Sequence, residues 1–156
     1  MFSRLRKDIQ VIKDRDPAAK NVAMNFVKKF SKRFTLYGLH AIWAHRLSHF
    51  FYCHGYFVTA RLISNIARFF TGIEIHPGAR IGEGLFIDHG TGIVIGETTI
   101  IGNNVSLYQG VTLGGTGKGK GKRHPTIEDG VVVASGAKVL GSFTVGEDSK
   151  IGAGSI

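Results

Sequence analysis

The sequence predicts an α+β chain, with an α-helical region over 1–72 followed by a solenoid of short parallel strands over 73–156. Three observations carry this. A branched apolar residue recurs almost every six positions, at Ile75, Ile81 and Ile87, then after a slip of two at Ile95, Ile101, Leu107 and Leu113, and after a long interruption at Ile127, Val133, Val139, Val145 and Ile151. Glycine directly follows six of these anchors, at Gly82, Gly96, Gly102, Gly114, Gly146 and Gly152. Before residue 73, apolar residues recur at helical spacing instead. A six-residue period matches neither the 3.6 of a helix nor the 2 of an alternating strand. It matches repeats that cannot bury their own apolar face and bury it by stacking on the next repeat.

In chain order, Phe2, Leu5, Ile9 and Ile12 predict a first helix. Asp16-Pro17 reads as an N-cap followed by proline at the first helical position, opening a second helix to about Arg33. A third helix, carrying Leu39, Ile42, Trp43, Leu47 and Phe50, is expected from near Thr35 to Gly55; a fourth is expected from Tyr56 to Phe70, stopping at Gly72. These helices should pack on each other and on one end of the solenoid. His45 and His49, four residues apart, have the spacing of paired zinc ligands, but Arg46 stands where a zincin would carry glutamate. With His40 and His54 they are expected to be packed or surface histidines, with no metal.

At 156 residues the chain has room for one domain with a helical appendage. Its net charge of +9 is uneven: residues 1–73 hold 13 Lys/Arg against 3 acids, and residues 74–156 hold 7 against 8. A basic half suits nucleic acid or an anionic membrane, yet the charges alternate with apolar residues as on solvated helix faces, and neither partner is expected. Cys53 is the single cysteine, which excludes an intrachain disulfide and fits a reducing compartment. With no apolar run of bilayer length and no signal-peptide core, the expected location is cytoplasmic.

Function is expected at the two breaks in the ladder. The slip holds Asp88-His89-Gly90-Thr91-Gly92. A lone histidine is often structural, but Glu74, Asp88 and Glu97 are near in sequence, and a carboxylate on one ring nitrogen would leave the other as a base. The second break, a protruding loop over 114–126, is too rich in glycine and lysine to pack a core. Gly114, Gly119 and Lys120 approach a Walker A pattern, but Gly121 occupies the Ser/Thr position and no strand-to-helix context surrounds it. Arg123 and His124, followed by Pro125, are candidate anion ligands; composition alone suits a solvated loop equally well. Counting hexapeptides puts the two breaks at different corners and heights, so the expected site joins one subunit's loop to a neighbour's histidine.

Three segments carry a family resemblance: Ile73-Glu-Ile-His-Pro-Gly-Ala; Ile87-Asp-His-Gly-Thr-Gly-Ile-Val-Ile-Gly-Glu-Thr; and Val111-Thr-Leu-Gly-Gly-Thr-Gly-Lys, closing in Lys122-Arg-His-Pro. They resemble the bacterial serine O-acetyltransferases of the hexapeptide-repeat acyltransferase superfamily. The match spans roughly residues 36 to 156, with an island at Arg15-Asp-Pro-Ala.

The resemblance implies a left-handed parallel β-helix and homotrimers, often paired into hexamers through the N-terminal helices. It implies direct acetyl transfer from acetyl-CoA to L-serine, giving O-acetylserine for cysteine biosynthesis, with no metal. His89 would be the base, and Glu74 stands where the family has the aspartate that orients it. Asp16 and Asp88 match positions on the ammonium side of serine, and Arg123 and His124 those on the carboxylate side. Backbone N–H groups at Gly114 and Gly115 are candidates for the thioester oxygen; Ala134, Ser135, Gly136 and Lys150 are candidates for CoA. The segment from Asp16 to Gly38 is longer than the family's, which leaves open whether Asp16 caps a helix or also touches substrate. The family array has a further coil and a tail beyond the position of Ile156, and there the tail serves CoA binding, cysteine inhibition and docking to cysteine synthase. The rival readings are acetyl transfer to a sugar hydroxyl, a γ-type carbonic anhydrase using His76, His89 and His124, and a non-catalytic scaffold.

Overall fold

The computed structural model describes residues 6, 7, 10, 11, 15, 37–117 and 121–156. The expected second helix and Asp16 lie outside the described residues. Of the first helix, Arg6, Lys7, Gln10, Val11 and Arg15 are helical. Val11 packs with Trp43 against Leu39 and Phe86, and Arg15 donates to the Asn104 carbonyl (3.0 Å) and to Ser106 Oγ (2.7 Å).

Helix α1 runs Tyr37–Cys53 and α2 runs Phe57–Thr71, each boundary within two residues of expectation. Gly72 ends α2 at φ 69°, its N–H donating to the Arg68 carbonyl at 2.8 Å; an L side chain resists that left-handed conformation and glycine adopts it freely. The two helices pack together and on β1, closing the first end of the solenoid, with Ala41 and Ile42 inserted into its core. The face α2 turns inward is made of small residues: Ala60 and Ser64 are buried, and Ser64 Oγ donates to the Ile75 carbonyl at 2.7 Å. Its large apolar residues Phe57, Val58, Leu62, Ile66, Phe69 and Phe70 are exposed. Close approach of the helix to the first rung selects small side chains there, inverting the usual amphipathic arrangement.

Twelve strands follow, and each contains one of the predicted anchors: β1 (Glu74–Ile75), β2 (Arg80–Ile81), β3 (Phe86–Ile87), β4 (Val94–Ile95), β5 (Ile100–Ile101), β6 (Ser106–Leu107), β7 (Thr112–Gly114), β8 (Thr126–Ile127), β9 (Val132–Val133), β10 (Lys138–Leu140), β11 (Thr144–Val145) and β12 (Lys150–Ile151). Every third strand pairs in parallel, which gives three four-stranded faces. The first holds β1-β4-β7-β10, the second β2-β5-β8-β11 and the third β3-β6-β9-β12. The registers align the anchors in columns: Ile75, Ile95, Leu113 and Val139; Ile81, Ile101, Ile127 and Val145; Ile87, Leu107, Val133 and Ile151. With Ala79, Val105, Val111, Val131 and Ala137 at the inner corners, they form one core.

His45 is buried in α1, its ring 5.5 Å from that of His49. Burial first, then His49 and Arg46, pushes its pKa down to about 3, so it packs as a neutral ring. Among the described residues no helix is long and apolar enough to cross a membrane, and no group of three or more His, Cys, Asp or Glu side chains is placed to hold a metal.

Leu113, fully buried mid-column, should lose about 2–5 kcal/mol of stability as Leu113→Ala. Ile151→Ala, on the last rung and only partly buried, should lose clearly less. Denaturant titration of both variants checks the order.

Candidate active site

The slip is the corner where the third face turns into the first, between β3 and β4. Backbone bonds run up this corner from Gly92 N to Gly72 O (2.9 Å), Gly110 N to Thr91 O (2.9 Å), Gly136 N to Gln109 O (2.8 Å) and Gly154 N to Ser135 O (2.9 Å). The two extra residues let His89 take a left-handed conformation, φ 58°, which is uncommon for a residue other than glycine and enriched at functional sites. Its imidazole points outward, 76% exposed. The neighbouring acid is Asp88, whose Oδ1 lies 3.9 Å from His89 Nε2. Glu74 instead pairs with Arg68 of α2 at 3.0 Å, because the last turn of α2 lies over β1. Among the described residues Glu74 makes no hydrogen bond to His89.

Ala134, Ser135 and Gly136 share this corner two rungs above His89, roughly 10 Å along the axis at about 4.8 Å per rung. Lys150 stands exposed in β12 on the adjoining third face. The candidates for base and CoA ligands thus lie along one edge of the prism.

The loop leaves the other corner of the first face, between β7 and β8, where Gly114 ends β7 and a Cβ on Gly115 would come 3.0 Å from the Arg123 carbonyl. Its far end folds back onto the corner between β4 and β5. Thr98 organises it. The Thr98 hydroxyl accepts from Arg123 N (3.0 Å) and His124 N (3.2 Å) and lies 2.8 Å from His124 Nδ1. Thr98 N–H also donates to that Nδ1, at 3.1 Å. An acceptor Nδ1 carries no proton, so the proton of the neutral ring sits on Nε2. Lys122 Nζ donates to the carbonyls of Thr98 (2.9 Å) and His124. The buried His124 ring lies over Gly96, where a Cβ would come within 2.2 Å of Nε2; only glycine admits this packing.

Arg123 projects from the same end. Its Nη2 donates to Glu97 Oε2 at 2.6 Å, and Tyr52 of α1 donates to Glu97 Oε1 at 3.0 Å. The Arg123 hydrogen bond, foremost, holds the Glu97 carboxyl below the usual carboxylate range. Glu97 was an expected partner of His89 by nearness in sequence; the fold places it one corner away, committed to Arg123. His76, at the same corner on the rung below, accepts from Gly78 N at its Nδ1 (3.0 Å). His76 and His124 therefore share a corner that His89 does not, and the three imidazoles do not converge within one chain.

Sequence reasoning missed Thr98 and Tyr52. Thr98 follows Glu97 at the corner directly beneath the loop, so counting corners would have located it; nothing in the local sequence links Tyr52 to Glu97.

No family model matches the chain. Over 155 residues it is 61% identical to the serine acetyltransferase of Bacillus subtilis, covering 99% of this chain and 68% of that one. The chain belongs to the serine acetyltransferase family. A soybean serine acetyltransferase solved in complex with serine superposes at a TM-score of 0.90 and 41% identity, over 99% of this chain and 60% of that one. A serine acetyltransferase complex with CoA superposes at 0.86 and 39% identity, over 97% of this chain and 60% of that one. The chain thus spans about three-fifths of the length of these solved serine acetyltransferases.

Burial first, then Arg123 and Lys122, pushes the His124 pKa below its ordinary 6.5. The folded state thus favours the neutral ring, and this contribution is fully present above pH 6.5 and lost as pH falls below it. Thr98→Val should cost about 1–3 kcal/mol near neutral pH, and the gap from wild type should narrow in acid, where a protonated Nδ1 can no longer accept. Thermal midpoints of the two proteins across pH check this; a gap independent of pH would contradict it.

Proposed function

We propose that the chain transfers the acetyl group of acetyl-CoA to the hydroxyl of L-serine, giving O-acetylserine. The observation that carries this is the conversion of the two ladder breaks into two built corners of one face, one presenting an exposed imidazole and the other an anchored guanidinium. The family relatives solved with serine and with CoA support the same pair of substrates.

In the proposed reaction His89 accepts the serine hydroxyl proton as the oxygen attacks the thioester carbon. The tetrahedral intermediate collapses with release of CoA thiolate, which recovers the proton from His89. Asp88 is the nearest carboxylate to the imidazolium that forms. Glu74 fills the family's orienting position, a role that requires release from Arg68. Arg123 and the Nε2–H of His124 bind the serine carboxylate, while Asp88 serves its ammonium. Backbone N–H groups at Gly114 and Gly115 stabilise the developing oxyanion. CoA runs along the edge at Ala134, Ser135 and Gly136, with its phosphates toward Lys150. A His–carbonic anhydrase chemistry is not favoured, since His76 and His124 commit their Nδ1 atoms to backbone N–H groups.

Because His89 and Arg123 occupy different corners, the complete site is assigned to two chains, with His89 of one facing the Arg123 loop of the next. A left-handed β-helix assembled as a trimer, pairing into hexamers through its helices, provides that juxtaposition. Helices α1 and α2 act as the end cap and the solenoid as the catalytic prism. In this reading the enzyme works in the cytoplasm.

His89→Ala should lower kcat/KM about 100- to 10,000-fold, and a loss under tenfold would argue against the base role. Co-expressing inactive His89→Ala with inactive Arg123→Ala chains should restore part of the activity, since some sites draw both intact residues from different chains. Absence of any recovery would rule out the shared site.

A further inference from the structure

The feature of the site that the reaction leaves unexplained is the chain of contacts from helix α1 to Arg123. We infer that Tyr52 is a positioning residue for substrate selection: through Glu97 its hydroxyl fixes the Arg123 guanidinium plane, setting affinity for the amino-acid carboxylate without touching it. This rests on the reading of Arg123 as the carboxylate ligand.

Glu97 is bridged on both oxygens, by Tyr52 on Oε1 and Arg123 on Oε2. Neither contact alone would orient it; together they leave the carboxylate no rotational freedom. The guanidinium is planar with five donors in a fixed fork, so holding one Nη fixes the direction of the others. Among the described residues Glu97 is the only group that the Arg123 side chain bonds, which leaves Nε, Nη1 and the second N–H of Nη2, so that Nη2 with one of the other two nitrogens can meet an incoming carboxylate in parallel. The Tyr52 ring is held independently of its hydroxyl by edge contacts with Phe57 (centroids 5.1 Å) and His76 (5.9 Å). Desolvation first, then the bond to Glu97, raises the Tyr52 pKa, which keeps the hydroxyl a donor across the working range. A free arginine would lose its rotamer freedom when substrate arrives; one already fixed loses it on folding, and the gain appears in substrate affinity.

The arrangement ties the helical end cap to the substrate end of the site. Tyr52 lies one residue before the end of α1, on the helix that closes the solenoid, so the register of the cap against the first rungs sets where Arg123 points.

Tyr52→Phe isolates the effect, because it removes one oxygen and keeps the ring contacts. In the whole protein it should raise the KM for L-serine about fivefold, an effect the size of one hydrogen bond, with the KM for acetyl-CoA unchanged and the thermal midpoint lowered only slightly by the lost bond to Glu97. Glu97→Gln should shift the same constant further, and Tyr52→Phe added to Arg123→Lys should have no additional effect. An unchanged serine KM in Tyr52→Phe, or a shift absent in Glu97→Gln, overturns the inference. If wild-type protein releases no CoA thiol with L-serine, the substrate reading has failed, and amide exchange over residues 121–124 decides the positioning role. Faster exchange in Tyr52→Phe supports it, and identical exchange overturns it.

Discussion

The whole molecule depends on the stacking of two-residue strands. A strand of two or three residues makes too few bonds and buries too little surface to persist alone; each rung exists because the rungs above and below satisfy its backbone and cover its anchor. The consequence is a strict column of side chains on each face, such as Ile81, Ile101, Ile127 and Val145, and strict backbone bonding at each corner. At the first end the column needs a cover, and α1 supplies one by inserting Ala41 and Ile42 into the core.

A lattice this regular has no freedom in its faces, so chemistry is confined to the corners. Two extra residues at one corner give His89 a left-handed conformation and an outward ring. Eleven residues between β7 and β8 at the other corner make an excursion whose end is clamped back by Thr98 and Glu97. The interior is apolar apart from a few buried residues such as Thr99, whereas these corners hold polar groups whose bonds fix tautomer and direction. The edge that carries His89 also carries the Ala134–Gly136 turn, two rungs above it.

The fold was legible because its period is a direct image of its geometry: each of the twelve anchors lies in a strand. The end of α2 was legible from Gly72, a residue whose backbone freedom serves that turn. The inward face of α2 was not: the large apolar residues Phe57, Leu62 and Ile66 are exposed, while close packing on β1 selects Ala60 and Ser64. At the site, His89, Arg123 and His124 were legible as irregular polar residues in a regular array. Their supports were not. Thr98 and His124 are 26 residues apart and Tyr52 and Glu97 are 45 apart, and only the stacking of coils and the docking of α1 bring them together. The placement of Glu97 beside His89 followed from nearness along the chain, which in a solenoid misleads: neighbours in space are one coil apart, and neighbours in sequence can occupy different corners.

The central claim is that these two corners select a zwitterionic amino acid as acetyl acceptor. It is tested most directly by CoA thiol release from acetyl-CoA with L-serine, set beside homoserine, threonine and a galactoside at equal concentration. The account predicts that L-serine is used well ahead of the others and that this preference collapses in Arg123→Ala. Release that is as fast with the galactoside, or absent with every acceptor, would contradict it.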